Sequence, residues 1–72
     1  MPWNVIIEHD PETGAYTATV AGLPDIIVDA RSEGEALSMA EEAIRFYLEE
    51  ARATGVSVPA HSPDTRIVPV DV

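Results

Sequence analysis

Hydrophobic residues recur every three or four positions between Ser32 and Gly55, and this spacing predicts one amphipathic helix. Ser32 and Glu35 have the spacing of a capping box at its start, and Gly55 stands where a left-handed residue ends a helix. At 1.5 Å per residue the helix is roughly 33 Å long, enough to span a small domain. Six residues fall on one stripe and are expected to pack on a sheet: Leu37, Ala40, Ile44, Tyr47, Leu48 and Ala51.

Met39 and Phe46 lie seven residues apart and widen the apolar arc of this helix beyond the ~100° that a core stripe needs. Two interpretations are open. The two side chains cover the margin of the sheet as the periphery of the core, or they form a second apolar surface for a partner subunit. The opposite side carries Glu41, Arg45 and Glu49 at i,i+4 spacing, and we expect it to be solvated.

Alternating apolar and polar residues predict four short strands around the helix. Pro11 and Gly14 predict a hairpin loop between the first two strands. Pro69 lies in the last strand and requires a position at the edge of the sheet, because proline has no N–H to donate. The predicted ranges, in chain order, are 3–8, 15–20, 26–30 and 66–70.

These elements predict an α+β fold with the order β-β-β-α-β, in a single domain over residues 1–72. A right-handed crossover through the helix gives a four-stranded mixed sheet in the order 3-2-1-4, with the one long helix packed on one face. The other face carries Ile6, Thr17 and Thr19 and is left uncovered by this chain. A chain of 72 residues has a small core, and without cysteine no disulfide can stabilise it. We therefore expect self-association as a dimer or larger.

The charge balance limits the partners. The formal net charge is −9, with four arginines and no lysine. Binding to nucleic acid depends on Lys and Arg, so we expect no direct contact with nucleic acid, and none with anionic membranes for the same reason. A basic protein partner is the natural electrostatic alternative, although acidity also keeps proteins soluble. With neither a signal-peptide pattern nor ~20 consecutive apolar residues, the sequence predicts a cytoplasmic protein.

Residues suited to catalysis or metal binding are sparse. His9 and His61 lie far apart in predicted loops, and their spacing matches no metal site. Without lysine there is no Schiff base and no phosphate-binding loop of the Walker type. Ser32 is explained as a helix cap, and the other serines have no evident histidine and acid around them. We therefore expect no enzyme, no metal and no cofactor, with a site of paired carboxylates as a distant alternative.

Four short motifs follow one another along almost the whole chain. They are Asp10 with Gly14-Ala15-Tyr16, Val20-x-x-Leu23-Pro24, Ser32-x-x-Glu35-Ala36 and Gly55-x-x-Val58-Pro59. In this order and spacing they resemble the N-terminal domain of HicB-family antitoxins, including short HicB-like proteins that consist of that domain alone. The chain departs from the family at two places. Asp25-Ile26 stands where the family usually has Gly-Cys, and Ala30-Arg31 stands where it usually has Gly-Asp.

The resemblance implies a partial ribonuclease H-like sheet without catalytic carboxylates. It also implies an antitoxin, or a binding module derived from one, that neutralises a small basic ribonuclease toxin by protein–protein contact. The alternative is a stand-alone oligomeric interaction domain with an unrelated ligand. Candidates for self-association are Met39 and Phe46, or the uncovered sheet face. Candidates for partner binding are carboxylates on or beside the first three strands: Glu8, Asp10, Glu12, Asp25 and Asp29.

Overall fold

The computed structural model describes residues 3–72, and three strands followed by one helix make up its regular structure. The strands form an antiparallel sheet in the order β1-β2-β3, with β2 in the centre. The helix α1 packs on one face of this sheet and completes a small α+β fold. The elements, in chain order, are β1 at Val5–His9, β2 at Tyr16–Val20, β3 at Leu23–Ala30 and α1 at Glu33–Thr54.

The predicted four-stranded mixed sheet in the order 3-2-1-4 is wrong. Residues 66–70 form no strand, and within residues 3–72 no strand pairs with the outer edge of β1. Ile67 is 85% exposed. The reason lies in the route that the chain takes before this segment. Ser62 bridges Asn4 and Ala21, and Pro63 lies against Gly22 in the turn between β2 and β3, so the chain before residues 66–70 is held at the end of the sheet and not along the β1 edge.

The first hairpin forms as its turn residues predict. β1 and β2 pair in regular register from Val5↔Val20 to His9↔Tyr16. The Asp10 N–H donates to the Ala15 carbonyl at 2.9 Å and closes the loop. β1 therefore extends to His9, which the sequence analysis had placed in the loop.

The second hairpin is irregular. Thr19 pairs with Ile27, but the next residue, Val20, pairs with Leu23, so β3 bulges between these two pairs. A bulge of this kind lengthens one strand and increases its local twist. β3 consequently begins at Leu23, three residues before the predicted strand at Ile26.

Both predicted caps of α1 are confirmed. The Glu35 N–H donates to the Ser32 hydroxyl at 3.1 Å, and the Arg31 N–H donates to the Glu35 carboxylate at 2.9 Å. Gly55 has a left-handed φ of 75°, and the following N–H donates to the Ala51 carbonyl at 2.9 Å as in a Schellman ending. The two caps satisfy backbone groups that a helix leaves unpaired, which fixes both ends of α1.

Small side chains bring α1 close to the sheet. Ala36 and Ala40 are fully buried and pack in one cluster with Ala18 of β2 and Ala30 of β3. Of the predicted stripe, Ala40, Ile44 and Ala51 are buried, but Leu37 is 42% exposed at the margin. A second cluster lies towards the C-terminal half of α1 and consists of Val20, Leu23, Ile26 and Ile44.

Ser62 ties the chain after α1 to the sheet. Its hydroxyl accepts a hydrogen bond from the Asn4 N–H at 2.8 Å and donates one to the Ala21 carbonyl at 2.5 Å. The Ala21 N–H donates to the Asn4 carbonyl at 3.0 Å. The hydroxyl therefore stands where the second backbone hydrogen bond of this residue pair would be.

We expect Ser62→Ala to lower the free energy of unfolding by about 1 to 2 kcal/mol, because it leaves a partly buried N–H and carbonyl unpaired. Urea unfolding followed by circular dichroism measures the change. Ser57→Ala, at an exposed position of the same segment, is the matched control and should change stability by less than about 0.5 kcal/mol. Equal effects of the two substitutions would contradict this role of Ser62.

Candidate functional site

One face of the sheet packs on α1. Within residues 3–72, no helix or strand covers the opposite face. The strand registers place three cross-strand neighbours in each of two rows. We call this surface the open sheet face. Its six residues are Ile6, Glu8, Thr17, Thr19, Ile27 and Asp29.

Two of the predicted partner-binding carboxylates lie in the same row of this face. Glu8 of β1 and Asp29 of β3 both pair with Thr17 of β2, from opposite sides. The Thr17 hydroxyl donates to the Asp29 carboxylate at 2.8 Å, which orients that carboxylate along the sheet surface. With adjacent strands 4.7 to 4.9 Å apart, the two carboxylate residues are roughly 10 Å from each other. We call Glu8, Thr17 and Asp29 the acidic row.

Two further candidates lie in the hairpin loop next to the acidic row. The Asp10 carboxylate accepts a hydrogen bond from the Glu12 N–H at 2.9 Å, so part of its role is to shape the loop. Glu12 is exposed, and its carboxylate makes no hydrogen bond or ion pair with the described residues. The loop therefore adds negative charge to the end of the sheet that carries Glu8 and Asp29.

The fifth candidate, Asp25, lies apart from the other four. It falls within the bulge of β3, near the opposite end of that strand from Asp29. There it borders a groove between β3 and α1, together with Glu50. The structure thus brings Glu8, Asp10, Glu12 and Asp29 to one end of the sheet and leaves Asp25 at the other.

This groove between β3 and α1, the β3 groove, contains one of the two self-association candidates. Its volume is about 370 Å³, and Ile27, Ala43, Phe46 and Tyr47 line it. Phe46 is 67% exposed and Ile27 is 64% exposed, whereas Met39 is 37% exposed and does not line the groove. Neither Met39 nor Phe46 is buried in the core of a single copy.

A second groove lies between β1 and α1, on the opposite side of the helix. We call it the β1 groove. Its volume is about 330 Å³, and its apolar lining consists of Trp3, Val5, Leu37, Ile44 and Leu48. Glu41 and Arg45 form its polar rim and contact each other as an exposed ion pair, at 3.6 Å.

Two side chains acquire contacts that the sequence did not predict. The rings of His9 and Tyr16 stack across β1 and β2, with their centroids 4.4 Å apart and their planes at 21°. Ser62 bridges two backbone groups that are far from it in sequence, as described above. The register of the first hairpin pairs His9 with Tyr16 once His9 is placed in β1. The pattern of apolar residues gives no indication of the Ser62 contact.

The described residues hold no group of three His, Cys, Asp or Glu side chains placed to bind a metal ion. His9 and His61 are both exposed, and the His61 ring contacts the Ser62 carbonyl at 2.7 Å. Among residues 3–72, no helix has the length and apolar character needed to cross a membrane. The candidate surfaces for binding are the open sheet face and the two grooves described above.

Comparison with known proteins adds no relative. No protein-family model, no curated protein and no solved structure matches the chain.

Proposed function

We propose that this protein is an acidic binding module of the HicB-like antitoxin type, and that it binds a small basic ribonuclease toxin through the open sheet face. The single observation that carries the proposal is the acidic row. Glu8 and Asp29 lie on either side of Thr17 on an exposed face, beside the acidic hairpin loop. The resemblance of the sequence motifs to HicB proteins supplies the class of partner.

Charge explains how such a module neutralises a ribonuclease without chemistry of its own. A ribonuclease binds RNA through basic side chains that contact phosphates. The carboxylates of the acidic row contact such basic side chains in place of phosphates, and RNA is then excluded. The net charge of −9 attracts a basic partner beyond the contact itself, although salt reduces its range to about 8 Å at physiological ionic strength.

The second row of the open sheet face supplies the apolar part of the interface. Ile6 and Ile27 lie on either side of Thr19, directly beside the acidic row. Protein interfaces combine an apolar centre with a polar rim, and the neighbouring rows present both on one surface. A partner bound here contacts β1, β2 and β3 at once and leaves α1 free.

The test requires a small basic ribonuclease encoded beside the gene for this protein, and it follows the association of the two proteins by stopped-flow fluorescence. We expect the double substitution Glu8→Lys and Asp29→Lys to reduce the association rate at least about tenfold at low salt, because steered association depends on complementary charge. Raising the salt concentration should slow the unsubstituted protein in the same way. Ribonuclease assays should show loss of inhibition by the double variant.

The matched control is Glu42→Lys with Glu49→Lys, which changes two exposed carboxylates on α1. Both double variants change the formal net charge from −9 to −5, so a difference between them reports position rather than total charge. Circular dichroism confirms that each variant is folded. An association rate that does not change with salt concentration, or that falls equally in both variants, would refute the electrostatic mechanism. Undiminished ribonuclease activity in the saturated complex would refute the antitoxin function.

A second candidate function is that of an interaction domain that binds an unrelated ligand. The observation that favours it is the 67% exposure of Phe46 in the β3 groove, which lies between β3 and α1 and does not include the acidic row. Exposed aromatic side chains of this kind are common anchors of protein interfaces. Loss of binding in Phe46→Ser, with binding retained in the variant of Glu8 and Asp29, would favour this candidate over the first.

A further inference from the structure

We propose that residues 66–70 of one copy pair, as an added strand, with the outer edge of β1 in a second copy, and that their side chains fill its β1 groove. The tail, defined here as residues 63–72, is unpaired in the single chain. The proposal concerns pairing between chains and is independent of the function proposed above.

The outer edge of β1 is free and suited to pairing. The Asn4 carbonyl and the Asp10 N–H both form hydrogen bonds with the chain on the β2 side. The alternation of an antiparallel ladder therefore turns the N–H and carbonyl groups of Val5, Ile7 and His9 outwards. Within residues 3–72 no strand pairs with these groups. β1 has neither a bulge nor a proline, two of the features that prevent strand addition, and Glu8 is its single acidic side chain.

The other edge of the sheet, that of β3, is protected by comparison. Its register is interrupted by the bulge between Leu23 and Ile27, and the strand contains Pro24, Asp25 and Asp29. Bulges, prolines and charged side chains are the features by which edge strands avoid pairing with another chain. The contrast between the two edges selects β1 as the acceptor.

The β1 groove offers the space and the apolar contacts that a strand beside β1 requires. Leu37 is 42% exposed there, although it belongs to the apolar stripe of α1. A strand added to β1 places every second side chain over Leu37, Ile44 and Leu48, on the face of the sheet that packs on the helix. The added strand thereby covers the edge of the core that is exposed at the β1 groove in a single copy.

The tail has the composition of the missing strand. Ile67, Val68 and Val70 are all exposed in the single chain, although β-branched residues favour strands. Pro69 has no N–H, so its nitrogen must face away from the acceptor. The alternation of a strand then turns the N–H groups of Arg66, Val68 and Val70 towards β1. Ile67 and Pro69 fall on one face of this strand and Val68 and Val70 on the other, so one face can pack over the β1 groove and the other beside Ile6.

The tail does not pair with β1 of its own chain, although it is long enough to reach a second copy. Ser62 holds the start of the tail at the end of the sheet, where it bridges Asn4 and Ala21, and Pro63 lies against the β2–β3 turn. The ten residues from Pro63 to Val72 span roughly 33 Å when extended, about the size of the domain. Two copies related by a twofold axis each donate a tail and accept one, which closes the assembly as a dimer.

Sedimentation velocity on the whole chain at tens of micromolar, with hydrogen exchange of backbone amides by NMR, tests the proposal. We expect a dimer in which the Ile7 amide is protected. Val68→Pro removes an N–H that faces the acceptor and should raise the dimer dissociation constant at least about tenfold. Ile67→Pro is its matched control, since it removes an N–H that faces solvent and a side chain of similar size, and should have a smaller effect.

A second pair of variants tests the acceptor. Leu37→Glu introduces a charge into the β1 groove and should abolish the dimer, whereas Phe46→Glu, in the β3 groove, should leave it intact. Both positions are exposed on the helix surface, so both variants should fold by circular dichroism. A monomer, a dimer that survives Val68→Pro and Leu37→Glu, a dimer lost in Phe46→Glu, or rapid exchange of the Ile7 amide would each overturn the proposal.

Discussion

Leu23→Ala is expected to lower the free energy of unfolding by about 2 to 5 kcal/mol, as do substitutions of buried leucine by alanine in other proteins. Leu23 is 1% exposed and is the largest side chain that the described part of the chain buries completely. A domain of 72 residues has a total stability of roughly 4 to 11 kcal/mol, so this one change removes a large share of it. Urea unfolding at 25 °C measures the difference.

The control for Leu23→Ala lies on the same strand. Ile27→Ala also shortens an aliphatic side chain of β3, but Ile27 is 64% exposed and should contribute less than about 1 kcal/mol to folding. If both substitutions had the same effect, Leu23 would not be the centre of the second core cluster. Thermal unfolding of the two variants gives an independent comparison.

The helix was predictable because its signals are local. Ser32 and Glu35 lie within four residues of each other, and Gly55 acts on the turn that directly precedes it. Each cap depends on backbone geometry within one turn and is independent of what packs on the helix. The hairpin loop at Asp10 and Gly14 was predictable for the same reason, because its hydrogen bonds join residues within the loop.

The start of β3 and the fate of the tail were not predictable in this way. The bulge that brings Leu23 opposite Val20 depends on packing between the sheet and α1, which a pattern of alternation does not contain. Residues 66–70 have the pattern of a strand, but Ser62 and Pro63 place them off the sheet. An alternating sequence shows only that the side chains suit a strand. To form one, the segment also needs another strand beside it to pair with.

The candidate site was predictable in part. The sequence named Glu8 and Asp29 among five carboxylates, and only the register of both hairpins shows that they lie on either side of Thr17. Asp25 is four residues before Asp29, and the bulge makes its position relative to the others depend on tertiary packing. A one-residue change of register moves a side chain to the other face of a sheet, so such a site needs the structure to define it.

The core and the proposed binding surface lie on opposite faces of the sheet. The buried clusters lie between α1 and the sheet, whereas the acidic row lies on the opposite side of the same three strands. Thr17 and Ala18 are neighbours in β2, yet one contacts Asp29 on the open sheet face and the other is fully buried under α1. Substitutions on the two faces should therefore affect different measurements, which makes the binding experiment separable from folding.

Ala40→Leu provides the strongest test of the close approach between α1 and the sheet. Ala40 has no exposed surface and packs against Ala18, Ala30 and Ala36, so the added carbons of leucine have no space without movement of the helix. Overpacking of a core costs typically about 1 to 3 kcal/mol, and we expect about 3 kcal/mol here because the other three buried residues of the cluster are alanines, whose methyl groups cannot move aside by changing rotamer.

Met39→Leu is the matched control for Ala40→Leu, because Met39 is the preceding residue of α1 and lies on the surface. Leucine and methionine have similar volumes and helix propensities, so this variant should keep the stability of the unsubstituted protein to within about 0.5 kcal/mol. Urea unfolding of both variants gives the comparison. A stable Ala40→Leu variant would mean that α1 packs further from the sheet than the buried alanines indicate. The proposed binding of a basic partner should be unchanged in the folded fraction, because the acidic row faces away from α1.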